Sequence, residues 1–133
     1  MSDKKLSSPR IKIIQKIYGA LINPEEIIKF PKSHYRKYIK DVVNGTLERR
    51  EFIEETLQKY LQNDINLKRT DKLLKVVIYA AVYELSFKHN NPIKVIIYEY
   101  LKAAEFFLEK TQIKYLNAVL DKISKKIRNI ENN

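Results

Sequence analysis

The sequence predicts an all-α fold, and three observations lead to that prediction. The 133 residues include only two glycines and four prolines, so few positions interrupt regular structure. Apolar residues recur at intervals of three and four, which is the spacing of one face of an α-helix. No segment shows the alternation of apolar and polar residues that indicates a β-strand. We therefore predict one helical domain over residues 1–133, a bundle of about seven helices in two packed halves.

Four helical segments are predicted in the first half. The first begins at Pro9 with Ser8 as its N-cap, because proline and serine favour these two positions. Pro24 opens a short second segment, which Pro31 must end. A kink or boundary near Arg49 separates the third segment from the fourth. Their apolar stripes are Ile13, Ile14, Ile17, Tyr18 and Leu21 in the first, Tyr35, Tyr38, Ile39, Val42, Val43 and Leu47 in the third, and Phe52, Ile53, Leu57, Tyr60 and Leu61 in the fourth.

Three longer segments follow a polar connector at residues 62–68. Thr70 or Asp71 caps the fifth, whose residues 73–85 are apolar nearly all round, so that this helix belongs at the centre of the bundle. The sixth and seventh begin at Pro92 and near Thr111, and the seventh carries Leu116, Val119, Leu120, Ile123 and Ile127 inward and Lys122, Lys125, Lys126 and Arg128 outward.

The charge balance points to a polyanionic partner without identifying one. Lysine and arginine number 26 against 16 acidic residues, which gives a net charge of +10 and a pI of 9.7. Such a balance fits a nucleic-acid-binding domain, although it fits a generally soluble lysine-rich surface equally well. The first residues lack the apolar core of a secretory signal, and no segment is apolar enough for a membrane span. We therefore expect a cytoplasmic protein that makes no membrane contact.

The sequence offers poor material for catalysis. There is no cysteine, which excludes thiol nucleophiles and zinc–thiolate sites. His34 and His89 lie in or beside polar turns without a partner at metal-ligand spacing. Gly19 and Gly45 alone cannot build a phosphate-binding loop. The adjacent acidic pairs at residues 25–26 and 54–55 point in different directions on a helix. We expect a binding module without catalytic residues, metal or cofactor.

Several polar and aromatic residues admit two interpretations. Tyr115, beside Lys114 at the start of a basic helix, is equally suited to core packing and to stacking on an RNA base. Glu84 ends the most apolar helix, where its carboxylate needs a partner unless that turn already reaches the surface. Asn117 falls among inward residues, where its amide would satisfy the backbone of a neighbouring helix.

Four segments resemble the NusB family of bacterial transcription antitermination factors. Residues 82–85, Val-Tyr-Glu-Leu, resemble the Tyr-Glu-Leu signature that ends the central helix of the family. Residues 91–100 are similar to the segment Val-Pro-x-x-Val-x-Ile-Asn-Glu, and residues 115–121 to Phe-Val-Asn-Gly-Val-Leu-Asp. Arg10 with Gln-Lys-Ile-Tyr at residues 15–18 resembles the first helix. The likeness covers nearly the whole chain and is weakest between residues 22 and 68.

The resemblance implies a NusB-like bundle and a set of partners. NusB proteins bind single-stranded boxA RNA together with NusE, a small-subunit ribosomal protein, and help RNA polymerase to resist termination on ribosomal RNA operons. On this basis RNA is expected to contact Lys4, Lys5, Arg10, Lys12 and Lys16, with Lys114 and Tyr115 near the same surface. Tyr18 is expected on the face toward the partner protein.

This sequence also departs from the family, and other functions remain open. Many members carry an arginine cluster before the first helix, whereas residues 6–8 here read Leu-Ser-Ser. Lysines do not reproduce the bidentate phosphate contacts of arginine. A protein-interaction module that kept the fold and lost specific RNA binding is therefore the first alternative. An RNA-modifying enzyme, or a subunit of one, is the second, and a DNA-binding helix pair is a distant third.

Overall fold

The computed structural model describes residues 8–128 and contains six α-helices in that range. They are α1 (Pro9–Ile22), α2 (Arg36–Glu48), α3 (Arg50–Leu61), α4 (Lys72–Phe87), α5 (Ile93–Ala104) and α6 (Lys110–Arg128). The all-α prediction is confirmed. The predicted number of seven is wrong for the described residues, because the short segment between Pro24 and Pro31 is not a helix.

The missing helix lacks length, and the side chains that this segment packs against the core, Ile28 and Phe30, are two positions apart rather than at a helical interval. The backbone N–H of Asn23 donates to the Gly19 carbonyl and closes α1, and a turn follows. Ile27 in the next segment is 87% exposed. A helix of about seven residues between two prolines gains too few hydrogen bonds to offset its nucleation cost unless it packs on the core.

The central position of α4 is confirmed. It contacts every other helix of the described chain, and 11 of its 16 residues are buried. The carboxylate of Asp71 accepts a hydrogen bond from the Leu74 backbone N–H at 3.2 Å, as expected of an N-cap. The run of apolar residues in the sequence therefore marks the helix around which the rest of the bundle packs.

Gly45 allows α2 to lie directly against α4. A Cβ atom at Gly45 would stand 2.3 Å from the ring of Tyr83, well inside van der Waals contact. The Asn44-Gly45 pair consequently lies inside α2 rather than at a break, and the predicted boundary falls at Arg49, where α2 gives way to α3. Position 45 requires glycine because the Tyr83 ring leaves no room for a side chain there, and not because the chain turns.

We predict that Gly45→Ala lowers the free energy of unfolding by about 1 kcal/mol. Overpacking against Tyr83 costs about 1–3 kcal/mol, which exceeds the gain of about 1 kcal/mol in helix propensity. In a Tyr83→Leu background, which removes the end of the ring, the same change should be stabilising. Urea denaturation of the four proteins measures both effects. An equal effect of Gly45→Ala in the two backgrounds would contradict this explanation.

Candidate nucleic-acid interface

The start of α1 is fixed by a buried ion pair between Arg10 and Glu84. The Glu84 side chain is fully buried and that of Arg10 is 11% exposed. Nη2 of Arg10 donates to Oε1 of Glu84 at 2.6 Å, and Nε donates to Oε2 at 3.1 Å. This two-point contact holds the guanidinium and carboxylate in one plane. It joins the first turn of α1 to the last turn of α4.

Three further side chains complete the cluster around Glu84. The hydroxyls of Tyr38 and Tyr100 both donate to its carboxylate. The amide of Asn91 donates to the Tyr38 hydroxyl at 3.0 Å. Each carboxylate oxygen therefore accepts from arginine and from a phenol, which provides the partners that a buried charge requires.

The cluster keeps its charges in place. Burial alone would lower the pKa of Arg10, but the hydrogen bond and charge of Glu84 raise it above that of a free guanidinium. Burial, followed by the charge of Glu84, raises the pKa of the Tyr38 and Tyr100 phenols. Arg10 stays protonated and both phenols stay neutral donors at physiological pH.

These contacts show that Glu84 is buried with a partner, and that the partner is Arg10. The end of α4 does not bring Glu84 to the surface, so the interpretation that requires a partner is the one observed. Arg10, expected to contact RNA, directs its guanidinium inward to Glu84 and Tyr38. Sequence reasoning identified Glu84 as needing a partner but did not assign Arg10, Tyr38, Tyr100 or Asn91 to it, because these residues come from four separate segments.

The remaining predicted residues of α1 lie along its accessible side. Lys12 and Lys16 are four residues apart, which places them on the same side of the helix, and both are partly exposed. Tyr18 packs against the edge of the core and is also partly exposed. Lys4 and Lys5 lie outside the described residues.

Lys114 and Tyr115 lie on α6 beside the connector. The Tyr115 hydroxyl donates to the Asp64 carbonyl at 3.2 Å, and burial followed by the charge of Asp64 raises its pKa. Lys122 pairs with the Asp64 carboxylate at 2.7 Å. Lys114 is exposed. Tyr115 therefore fastens α6 to the connector through its hydroxyl and remains partly exposed.

The described site residues fall into two groups, one on α1 that begins at Arg10 and one on α6 at Lys114 and Tyr115. Tyr115 precedes Arg128 by 13 positions, or about 20 Å along the helix. The Arg128 guanidinium donates to the Asn91 carbonyl, and the Asn91 side chain belongs to the Arg10 cluster. An RNA that contacts both groups must therefore extend over several nucleotides.

Two expectations for α6 were wrong. Arg128 does not point outward, because its guanidinium donates to the carbonyls of Leu85 and Lys88 and so satisfies groups left open at the end of α4. Asn117 is exposed rather than inward. It lies one position beyond the buried Leu116, and neighbouring helix positions point about 100° apart.

The described residues 8–128 contain no cluster of candidate metal ligands. No group of three histidine or acidic side chains in this range could hold a metal ion. Both histidines are exposed, as predicted. None of the described helices combines the length and apolarity needed to cross a membrane.

Comparison with known proteins assigns the family. The sequence profile of the NusB family matches residues 8–125. The chain belongs to the NusB family. The match includes the described NusB-like helices almost to the end of α6, so it covers both the Arg10 cluster and the contact between Tyr115 and the connector.

Individual relatives agree with this assignment. The chain is 33% identical over 92 residues to a transcription antitermination protein NusB of Mesorhizobium japonicum, covering 69% of this chain and 59% of that protein. It is 32% identical over 110 residues to a NusB of Allorhizobium ampelinum, covering 83% and 66%. The chain thus spans about three fifths of the length of these curated relatives.

A solved NusB structure confirms the fold. T. maritima NusB superposes with a TM-score of 0.76 over 89% of each chain at 21% sequence identity. At this identity the likeness concerns the helical architecture alone. The NusB-like bundle predicted from the sequence is confirmed.

We predict that Arg10→Met lowers the free energy of unfolding by about 3–5 kcal/mol, because it leaves the Glu84 carboxylate buried without its cation. The double variant Arg10→Met/Glu84→Gln should recover part of that loss, since a neutral amide leaves no unpaired buried charge: its carbonyl oxygen still accepts from one phenol, and its NH2 group can donate to the oxygen of the other. Urea denaturation measures each variant, and Arg69→Met, on an exposed arginine, is the matched control. A loss no greater than that of the control would refute the structural role of the pair.

We also predict that stability falls as the pH rises above about 10, the usual pKa of tyrosine. Burial, followed by the hydrogen bond to Glu54, raises the pKa of Tyr79 in the folded state. The unfolded chain therefore releases this proton first and is favoured as the pH increases. Tyr79→Phe should lose stability less steeply than wild type in alkaline urea titrations, because it lacks the phenol whose pKa rises on folding. Parallel curves for wild type and Tyr79→Phe would contradict the prediction.

Proposed function

We propose that this chain is a non-catalytic transcription antitermination factor that binds boxA-type single-stranded RNA together with NusE. In this role it assists the RNA polymerase elongation complex on ribosomal RNA operons, in the cytoplasm and without a cofactor. The observation that carries the proposal is the basic, accessible side of α1, on a helix whose first turn is anchored through Arg10 in a chain of the NusB family. The relatives named as transcription antitermination proteins support it.

The proposed RNA-binding set is Lys4, Lys5, Arg10, Lys12, Lys16, Lys114 and Tyr115. Within it, the lysines supply positive charge that attracts the phosphates and releases counterions. Arg10 contributes by holding α1 on α4, which fixes the position of the lysines. Tyr115 offers a ring edge for a base. Tyr18, on the same helix as the lysines, is proposed to face NusE, whose added surface makes up for modest affinity of each protein alone.

A protein-interaction module without specific RNA binding is the second candidate function. One observation favours it: the guanidinium of Arg10 is already bonded to Glu84 and Tyr38, so it is not disposed for a bidentate phosphate contact. Residues 6–8 also lack the arginines common in the family. This candidate predicts weak binding that does not distinguish RNA sequences.

The deciding experiment is a salt titration of binding to boxA-like and scrambled single-stranded RNA, with and without NusE. Wild type should prefer boxA-like RNA and bind it more tightly when NusE is present. Lys12→Glu/Lys16→Glu should weaken RNA binding and reduce the slope of log affinity against log salt by about 1.4, because each lost phosphate contact on a single strand removes about 0.7. Tyr18→Ala should retain RNA binding but lose the gain from NusE.

Lys59→Glu/Lys68→Glu is the matched control, since it changes the net charge equally on exposed lysines of α3 and the connector. Its salt slope should stay at the wild-type value. Equal affinity for both RNAs at physiological salt, indifferent to NusE, would instead support the protein-interaction module. An unchanged slope in Lys12→Glu/Lys16→Glu would overturn the role given to α1.

A further inference from the structure

A groove runs along α2, from His34 before the helix to Arg49 at its end, and reaches Tyr83 and Lys88 at the end of α4. Its cavity measures about 910 Å³. The side chains that matter for its chemistry are His34, Tyr35, Lys37, Lys40, Arg49 and Tyr83. Lys37 and Lys40 are three positions apart on α2, so they follow the same side of the helix.

Aromatic rings continue one wall of the groove. The Tyr83 and Phe87 ring centroids lie 5.1 Å apart, and those of Phe87 and Phe52 lie 5.5 Å apart. The guanidinium carbon of Arg49 stands 4.5 Å from the Phe87 centroid. Tyr35, Phe52 and Phe87 are 48%, 45% and 38% exposed. The core leaves these rings partly exposed, and a cationic side chain, that of Arg49, lies over the ring of Phe87.

The groove carries unneutralised positive charge. Within the described chain, no carboxylate lies within 4 Å of the charged groups of Lys37, Lys40 or Arg49. Asp41 is already paired with Lys88. Of the described residues that line the groove, Glu48 is therefore the acidic one that remains without a basic partner. The surface has the charge of a site for an anion.

The groove also continues toward the anchored end of α1. A second recess contains Phe87, His89 and Asn91 and shares Tyr38 and Lys88 with the groove. Tyr38 and Asn91 belong to the cluster that holds Arg10. The second recess therefore adjoins both the groove and the cluster that anchors the start of α1.

We infer that this groove binds single-stranded RNA that flanks the segment held at α1. Bases stack on the exposed rings of Tyr35 and Phe87, while Lys37, Lys40 and Arg49 hold phosphates. The inference rests on the proposed RNA-binding function and extends its footprint to a separate surface, formed by α2 and α4.

The arrangement suits RNA better than an acidic protein segment. Aromatic rings interleaved with lysine and arginine along a groove are the usual means of holding single strands without strict sequence preference, because every base has a stacking face. An acidic peptide would use the cations but would leave several rings unmatched. We therefore expect the groove to prefer single-stranded nucleic acid to polyanions that lack bases.

The test compares a boxA-like core RNA with the same RNA carrying a short oligouridine extension on one side or the other. Wild type should bind one extended RNA about tenfold more tightly than the core, as expected for roughly one stacked base. Its salt slope should be steeper by about 1.4, for two added phosphate contacts. Lys37→Glu/Lys40→Glu and Tyr35→Ala should lose this gain and keep wild-type affinity for the core. Lys59→Glu/Lys68→Glu, with the same change in net charge, should keep the gain.

The outcomes separate this inference from the proposed function. Failure of wild type to bind either RNA would overturn both. Binding to core and extended RNA with equal affinity would overturn this inference alone, as would an equal loss in the groove variant and the control. Loss of NusE binding in Lys37→Glu/Lys40→Glu, with RNA binding intact, would show that the groove is a protein site and would also overturn it.

A photochemical experiment locates the extension directly. An RNA with 4-thiouridine in the extension should crosslink, on irradiation, to tryptic peptides that contain Tyr35 or Phe87. The crosslink should weaken in Tyr35→Ala while a 4-thiouridine in the core still crosslinks at the wild-type yield. Crosslinks from the extension that map to α6 instead would place the strand elsewhere and overturn the inference.

Discussion

The burial of Glu84 is the constraint on which the rest of this structure depends. A carboxylate at the end of the most buried helix is costly unless a cation and several hydrogen-bond donors surround it. Arg10 supplies the cation, and Tyr38 and Tyr100 supply donors from α2 and α5. One side chain of α4 thereby fixes three other helices. The start of α1, on which the proposed RNA contacts depend, is held by this charge together with the buried isoleucines of the helix.

At the same end of the molecule, arginines make internal contacts whereas lysines stay accessible to a partner. Arg10 and Arg128 are used internally, one on Glu84 and the other on the carbonyls that end α4. The lysines of α1 and α2 remain accessible. This division fits the difference between the two side chains, because the planar guanidinium makes several directed bonds and the lysine ammonium acts as a mobile, hydrated charge. Net charge alone therefore overstates the charge available to a partner.

The packing of α2 against α4 connects the buried cluster to the proposed second RNA surface. Gly45 lets the Tyr83 ring lie on α2, and Tyr83 in turn contacts Phe87 at the accessible edge. Tyr38 belongs to the Arg10 cluster and to the groove at once. Features that stabilise the bundle thus also set the shape of its surface.

The sequence by itself determined the helical class, the central place of α4 and the family, because apolar periodicity, caps and short motifs are local properties of the chain. It also indicated that Glu84 needs a partner. It did not identify that partner, and it overcounted the helices, since a segment between Pro24 and Pro31 becomes a helix only if a neighbour buries it. Only the tertiary structure decided that Arg10 turns inward and that Tyr115 contacts the connector. Those choices depend on which side chains meet across long separations in sequence, and no local pattern records that.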